Sequence, residues 1–102
     1  MSLSTFDILA EPARRHILSL LARGERSAGE LATGLTLSQP GVSKHLKILR
    51  EAGLVTVRGE AQRRLYALRP EPLAEIDAWL EPFRHFWEGR LDALQQHLDQ
   101  EI

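Results

Sequence analysis

The chain has 102 residues and a formal net charge of −1, which fits one small domain and gives no overall basic character. Cysteine is absent, which excludes disulfides and every thiolate-based metal or redox site. Residues 1–15 include acidic side chains and no long apolar run, so we expect no signal peptide, no membrane span and a cytoplasmic location.

Two helices are predicted at the start of this single domain, residues 1–102. Residues 1–10 form the first, a short N-terminal helix. Pro12 suits the first turn of the next helix, over residues 13–22, because a helix start does not need the missing N–H. The apolar pattern of this second helix places it at the centre of the core, and we expect it to end at Gly24.

The third predicted helix is short and carries its own capping signal. Ser27 and Glu30 have the spacing of a capping box, and we expect the helix to end at Gly34. Residues 35–37 then lead directly into a fourth helix. Two helices joined by a few residues including glycine are typical of a helix-turn-helix, which we place at residues 27–53.

The fourth predicted helix has the most informative pattern in the chain. Ser38 is its N-cap and Gly53 ends it. Val42, Leu46 and Leu49 recur at spacings of four and three, which makes one apolar stripe. The remaining surface is polar and basic, with Ser43, Lys44, His45, Lys47 and Arg50. A short helix with this outer face is typical of one that enters a DNA major groove.

Alternating apolar residues predict two β-strands after this helix, over residues 54–58 and 63–68, with 59–62 as the tip of the hairpin. Residues 54–69 therefore form a wing. Its basic residues are expected to contact the phosphate backbone and to set affinity and register rather than sequence preference. These residues are Arg58, Arg63 and Arg64.

Residues 71–101 predict a long amphipathic helix, which Pro82 kinks or splits. Both tryptophans and two of the three phenylalanines lie in this segment. Because one small domain cannot cover so much aromatic surface, we interpret it as a dimer interface; the alternative is a helix packed on its own domain. The expected interface residues are Leu3, Phe6, Leu73, Ile76, Trp79, Leu80, Phe83, Phe86, Trp87, Leu91, Leu94 and Leu98.

The small net charge conceals a strong segregation of charge. Residues 36–69 carry seven basic and two acidic side chains, whereas residues 70–102 carry two basic and eight acidic ones. The basic third coincides with the fourth helix and the wing. Because local field rather than net charge steers a polyanion, this pattern favours a nucleic-acid partner.

Five stretches of the helices and the wing resemble the ArsR-type family of small winged-helix bacterial repressors. The resemblance covers most of residues 6–70 in order, through residues 11–18, 29–32, 38–46, 49–55 and 63–68. It implies a mainly α fold with a small β-hairpin, a winged helix-turn-helix. It also implies a homodimer that places its recognition helices in successive major grooves of an imperfect palindrome in double-stranded DNA.

The resemblance assigns DNA-contact candidates position by position. Gln39 can read adenine, Ser43 can contact a base or a phosphate, and the neighbouring cations are expected on phosphates. The expected contacts are Ser38, Gln39, Pro40, Gly41, Ser43, Lys44, His45, Lys47, Arg50, Arg58, Arg63 and Arg64. Alternatives stay open for three of them: Ser38 as a cap only, Pro40 as a helix starter only, and His45 as a packing residue.

Arg14 and Arg15 also match a family position, at the start of the second helix. The helix dipole disfavours cations there. Two interpretations stay open, in which these arginines either contact phosphate or balance the charge of Glu11.

No metal or other cofactor is expected. The family's soft-metal site uses cysteines on the helix before the recognition helix, where residues 27–32 offer no thiol. Its zinc-type site needs paired Asp and His ligands, but Phe83 and Gln100 occupy two of the required places. The remaining candidate ligands form an incomplete set, namely His85, His97 and Glu101.

The sequence thus predicts a dimeric, sequence-specific DNA-binding regulator, a repressor with its own gene as one candidate target. The alternative is a winged-helix module for protein–protein contact without DNA readout, against which the basic helix and wing argue. No catalytic residue is expected, because the chain has no cysteine, no glycine-rich phosphate loop and no nucleophile–base pairing, so we predict no enzyme. The pattern does not identify a small-molecule or metal effector.

Overall fold

A computed structural model describes residues 3–100. Five α-helices, a two-stranded hairpin and a short 3-10 turn follow one another along this part of the chain. They are α1 (Thr5–Leu9), α2 (Pro12–Leu21), α3 (Ala28–Leu35), α4 (Gln39–Glu51), β1 (Val55–Glu60), β2 (Arg63–Leu68), the turn Glu71–Leu73 and α5 (Ala74–Gln100). The predicted mainly helical fold with a small β-hairpin is confirmed.

The hydrophobic core lies between α1, α2, α3, α4 and the base of the hairpin. The apolar stripe predicted on α4 is buried, with Val42, Leu46 and Leu49 almost fully removed from solvent. Ile17 of α2 and Leu31 of α3 pack in the same cluster. Because burial of the stripe fixes the rotation of α4, its polar face must point away from the domain.

Side-chain caps set where α3 and α4 begin. Ser27 Oγ accepts the Glu30 N–H at 3.1 Å, and the Glu30 carboxylate accepts the Ser27 N–H at 3.0 Å, so the predicted capping box is present. Ser38 Oγ accepts the Gly41 N–H at 3.2 Å, which confirms Ser38 as the N-cap of α4. Gly53 follows the helix with φ +79°, as predicted for its end.

The end of α3 differs from the prediction. Helix α3 continues through Gly34 to Leu35, and Thr36 adopts the left-handed conformation with φ 57°. The Leu37 N–H donates to the Ala32 carbonyl at 3.0 Å and closes the end. Gly34 lies close to α2, where a Cβ would be 3.4 Å from Leu20 Cδ1, at the short end of ordinary van der Waals contact.

Helix α2 also ends before Gly24, the residue at which its end was expected. Its last residue is Leu21, with Ala22 as C-cap, and Gly24 lies in the turn that follows with φ +145°. The Gly24 N–H donates to the Leu21 carbonyl at 3.1 Å, so the glycine closes the turn rather than the helix.

The hairpin is longer and tighter than predicted. β1 and β2 pair antiparallel from Val55 opposite Leu68 to Glu60 opposite Arg63, which leaves only residues 61–62 in the turn. The expected four-residue tip at 59–62 was therefore wrong, because Gly59 and Glu60 continue the ladder.

A short backbone bridge attaches the other edge of β2 to the segment before α3. The Arg26 N–H donates to the Tyr66 carbonyl at 3.0 Å, and the Tyr66 N–H donates to the Arg26 carbonyl at 2.8 Å. The hairpin is thus tied by main-chain bonds to the start of the helix-turn-helix.

Helix α5 is 27 residues long and runs without interruption through Pro82, so the proline does not split it. It touches the rest of the domain near its start, where the rings of Phe6 and Trp79 meet edge to face at 5.7 Å between centroids. None of its residues is buried. No helix within residues 3–100 combines the length and apolarity that a membrane crossing needs.

Candidate nucleic-acid interface

The outer face of α4 carries the predicted basic side chains in the open. Ser43, Lys44, Lys47 and Arg50 are all exposed. Between residues 3 and 100, no carboxylate forms an ion pair with any of the three cations. Their charges are therefore available to an external anion.

A concave surface lies between α4 and the wing, which we call the α4–wing groove. One part is lined by residues of α4 and β2: Ser43, Lys47, Arg50, Glu51, Arg64 and Tyr66. The adjoining part shares Ser43, Arg64 and Tyr66 and extends to the N-terminus of α3 through Ser27, Ala28, Gly29, Gln39, Gln62 and Arg63. Four cations against one carboxylate make this groove electropositive, which suits a polyanion.

Not every predicted contact faces this groove. Lys44 lies on the other flank of α4, beside Gly41, His45 and Ile48 in a mainly apolar depression. The predicted contacts on α4 therefore divide between two flanks of one helix, and Lys47 lines both surfaces.

Three of the predicted contacts have structural roles at the start of α4. Ser38 caps the helix, and Pro40 lies exposed in its first turn. A Cβ at Gly41 would lie only 3.0 Å from Ser38 Oγ, so a side chain there would disturb the cap. The need for glycine at position 41 is thus explained by capping, and DNA contact by these residues stays a prediction.

Arg58 lies outside the α4–wing groove in an ion pair. Its Nη2 and Nε donate to the two Glu25 carboxylate oxygens at 2.6 and 3.0 Å, and Nη2 also reaches Glu60 at 3.4 Å. This pairing lowers the pKa of Glu25 and raises the pKa of Arg58. The guanidinium that was expected on phosphate therefore attaches the wing to the segment before α3.

Arg63 both lines the α4–wing groove and pairs with a carboxylate. It lines the groove, and its Nη1 also lies 3.4 Å from Glu30 of α3. The pKa of Glu30 is lowered mainly by the hydrogen bonds from Ser27, and the charge of Arg63 adds to this. Both side chains of the Arg63 pair are largely exposed, so the pair is weak and can exchange for a phosphate.

Among residues 3–100, Arg14 and Arg15 form no ion pair with Glu11 but contact main-chain carbonyls, and their contact with phosphate stays a prediction. Arg14 Nε donates to the Ile8 carbonyl at 2.8 Å, and Arg15 Nη1 donates to the Leu9 carbonyl at 2.6 Å. They therefore satisfy carbonyls at the end of α1, where the helix dipole favours cations.

His45 meets Arg14 from the side of α4. It is half-buried, and its Nδ1 lies 3.5 Å from Arg14 Nη1. This contact supports the packing interpretation of His45.

Tyr66 is a groove residue that sequence reasoning missed. It was interpreted only as part of the apolar alternation of β2. The same alternation places it two residues from Arg64, on the same face of the strand, and this signal was sufficient to find it.

The expected dimer face remains largely uncovered in the single chain. Phe6 packs on Trp79, which in turn packs on Phe83 at 5.0 Å between centroids. Trp79 is still 56% exposed and Leu91 62% exposed. The other predicted interface residues that are exposed are Leu3, Phe6, Phe83, Phe86, Trp87, Leu94 and Leu98.

Three predicted interface residues lie closer to the domain. Ile76 and Leu80 are half-buried near the start of α5. Leu73 is also half-buried and packs against the core of its own chain, so the structure places it inside the domain rather than on the free face.

The possible metal ligands do not assemble within the described part of the chain. Among residues 3–100, no three His, Asp or Glu side chains lie close enough to hold a metal ion. His85 packs against the ring of Phe86 at 4.0 Å between centroids. Glu101, which was expected to share a helix face with His97, lies outside the described residues.

A helix-turn-helix with a basic second helix, followed by a hairpin that leans beside it, defines a winged helix-turn-helix domain. Residues 11–57 match the family model described as bacterial regulatory protein, arsR family. The HTH-type transcriptional regulator Rv2034 of Mycobacterium tuberculosis is 42% identical over 93 residues, covering 91% of this chain and 84% of that protein. The chain belongs to the arsR family of bacterial regulatory proteins.

Two further comparisons agree with this assignment. The transcriptional repressor SdpR of Bacillus subtilis is 32% identical over 80 residues, covering 78% of this chain and 89% of that protein. A crystal structure described as a possible transcriptional regulator for arsenical resistance superposes with a TM-score of 0.71. It is 40% identical and covers 79% of this chain and 84% of that chain.

Family membership confirms several predictions made from the sequence. The winged-helix fold is that of the structural neighbours. Regulators of this family bind DNA and typically function as dimers. The family and the relatives are transcriptional regulators, which confirms the prediction that the protein is not an enzyme.

Proposed function

We propose that this protein is a dimeric, sequence-specific repressor that binds an imperfect palindrome in double-stranded DNA. The observation that carries the proposal is the α4–wing groove, where Lys47, Arg50 and Arg64 converge without a carboxylate partner among residues 3–100. In this arrangement α4 enters the major groove and the wing lies on the phosphate backbone.

Base reading is assigned to the N-terminal half of α4. Gln39 and Ser43 are exposed, line the same part of the groove, and lie one turn apart on the helix. Residues at the N-terminal end of a recognition helix contact base edges, and a glutamine can bind adenine with two hydrogen bonds. Lys44, Lys47, Arg50, Arg63 and Arg64 contact phosphates, which gives affinity without sequence preference.

A second copy of the chain is the proposed partner of the apolar face on α1 and α5. This face exposes two tryptophans and three phenylalanines, and monomeric proteins rarely leave so many large apolar side chains exposed together. A closed twofold dimer buries the same face from both copies and repeats the recognition helix at two half-sites. The palindromic form of the operator follows from this symmetry.

The test is selection of bound duplexes from a random library, followed by titrations of the selected duplex at several salt concentrations. Replacing Lys47, Arg50 and Arg64 with glutamine removes three phosphate contacts from each subunit of the dimer. The slope of log K against log salt should therefore fall by about 5, since each contact contributes about 0.9. Arg90→Gln is the matched control, because this cation lies on α5 and lines no part of the groove. It should leave the slope unchanged.

Recovery of no preferred sequence from the library would refute the proposal, as would equal slopes for the triple variant and the wild type. Sedimentation at the concentration used for binding tests the dimer separately. The DNA upstream of the protein's own gene is the first natural candidate for the operator. A mobility shift of this DNA that is absent with scrambled DNA would identify it as an operator, and higher expression of the gene when the protein is absent would then assign autoregulation.

A further inference from the structure

We propose that the deep part of the α4–wing groove binds one phosphate of the DNA backbone, and that the Tyr66 hydroxyl donates a hydrogen bond to it. This inference rests on the proposed function, since its ligand is duplex DNA. It assigns a DNA contact to a side chain that otherwise belongs to the core.

The hydroxyl of Tyr66 reaches the groove from below. The residue is only 9% exposed, and its ring packs in the core cluster. Among residues 3–100, no polar side-chain atom that is buried from solvent lacks a hydrogen-bond partner. The Tyr66 hydroxyl has no such partner, so it must reach solvent, and the surface it lines is the groove.

A buried tyrosine normally satisfies its hydroxyl within the protein. Here the ring is fixed by the core, and the main chain of Tyr66 is fixed by the two hydrogen bonds to Arg26. The hydroxyl is therefore held in one place before any ligand arrives, and an acceptor that enters the groove meets a preorganised donor.

The N-terminus of α3 supplies further donors at the same place. Ala28 and Gly29 line the groove, and as first-turn residues their N–H groups have no acceptor inside the helix. Gly29 has no side chain, so its main chain forms the surface of the groove here; a Cβ would make ordinary contacts with Gln39 Oε1 at 3.7 Å and Ser27 Oγ at 3.9 Å. A helix N-terminus with free amides favours an anion.

Two side chains complete the site from either wall. Ser43 of α4 and Arg64 of β2 line both parts of the groove, as Tyr66 does. The Glu30 carboxylate, which would repel an anion, is turned back onto the Ser27 N–H and paired with Arg63. The donors are thus a guanidinium, two hydroxyls and main-chain amides, a set that suits a phosphodiester oxygen.

Substitution of Tyr66 with phenylalanine isolates the hydroxyl. Because the hydroxyl has no partner among the described residues, Tyr66→Phe should melt at the wild-type temperature. Its affinity for the selected duplex should fall at least about tenfold, as expected for loss of a hydrogen bond to a charged group. The slope of log K against log salt should stay unchanged, whereas Arg64→Gln, which removes one contact from each subunit of the dimer, should lower it by about 1.8.

A scan of methylphosphonate substitutions along the duplex locates the phosphate. At one position in each half-site, the neutral linkage should weaken wild-type binding and remove the difference between the wild type and Tyr66→Phe. A difference that persists at every position would overturn the inference. Equal affinity of the two proteins for unmodified DNA, or a lower melting temperature of Tyr66→Phe, would also overturn it.

These outcomes are distinct from failure of the proposed function. A wild-type protein that selects no DNA sequence contradicts the proposed function itself. A wild type that binds its selected duplex, together with a Tyr66→Phe variant that binds it equally well, contradicts only the role of the hydroxyl.

Discussion

Replacing Gly34 with alanine should stabilise the protein. Gly34 lies inside α3, one residue before its end, with ordinary helical backbone geometry. Glycine in a helix is less favourable than alanine by up to about 1 kcal/mol, because the unfolded chain loses more freedom when it folds. The new Cβ would lie 3.4 Å from Leu20 Cδ1, which is the free end of a half-buried side chain.

The expected gain in stability follows from the backbone freedom of glycine and from the contact of the new methyl group with Leu20. Position 34 is in the last turn of α3, so the gain is about 0.5 to 1 kcal/mol, and Leu20 can accommodate the methyl group by a small rotation. For a domain of 102 residues this corresponds to a rise in melting temperature of about 2 to 6 °C. Both proteins must be melted at one concentration, since a dimer's melting temperature depends on it.

Gly53→Ala is the matched control for this measurement. Gly53 has φ +79°, and a Cβ there would meet only Pro72 Cγ at 3.8 Å, so its cost comes from the backbone alone. Alanine in the left-handed region costs about 1 to 2 kcal/mol, and this variant should melt lower than the wild type. Circular dichroism gives the melting temperatures of the wild type and the two variants. A Gly34→Ala protein that melts at or below the wild-type temperature would show that the methyl group does not fit against Leu20 and would refute this prediction.

Three further predictions follow from other contacts. Trp79→Ala should weaken the dimer by about 2 kcal/mol, which raises the dissociation constant measured by sedimentation about 30-fold at unchanged helical content. An unchanged dissociation constant would contradict the proposed interface. Hydrogen bonds from Ser27 lower the pKa of Glu30, so this carboxylate contributes stability above pH 4.5 that is lost as the pH falls through its lowered folded pKa. The melting temperature of Glu30→Gln should therefore fall less than that of the wild type as the pH is lowered below 4.5. The same fall in both proteins would contradict this contribution of Glu30. Arg14→Gln removes the donor to the Ile8 carbonyl, so amide hydrogen exchange in α1 should become faster than in the wild type, while exchange in α4 stays the same. Exchange in α1 at the wild-type rate would contradict this role of Arg14.

Local signals explain why α4 could be predicted correctly. The cap at Ser38, the stripe of Val42, Leu46 and Leu49, and the glycine at position 53 all act within a few residues of one another. Burial of the stripe then determines which side chains face outward. The direction of the basic face therefore followed from sequence spacing alone.

Two predictions failed for different reasons. Helix α3 continues past Gly34 to Leu35, and the left-handed conformation that favours glycine is adopted by Thr36 despite its branched Cβ. Arg58 and Arg64 look equivalent in the sequence. Arg58 alone meets Glu25, which is 33 residues away in the chain, and no spacing rule connects the two.

The bridge between Arg26 and Tyr66 has a mechanical consequence for operator recognition. Because main-chain hydrogen bonds join the wing to the start of the helix-turn-helix, the two elements are restrained from moving separately when a duplex binds. DNA that contacts both must change its own groove width or bend. The energy of that deformation depends on the base steps involved, so sequence preference is expected at positions that no side chain touches.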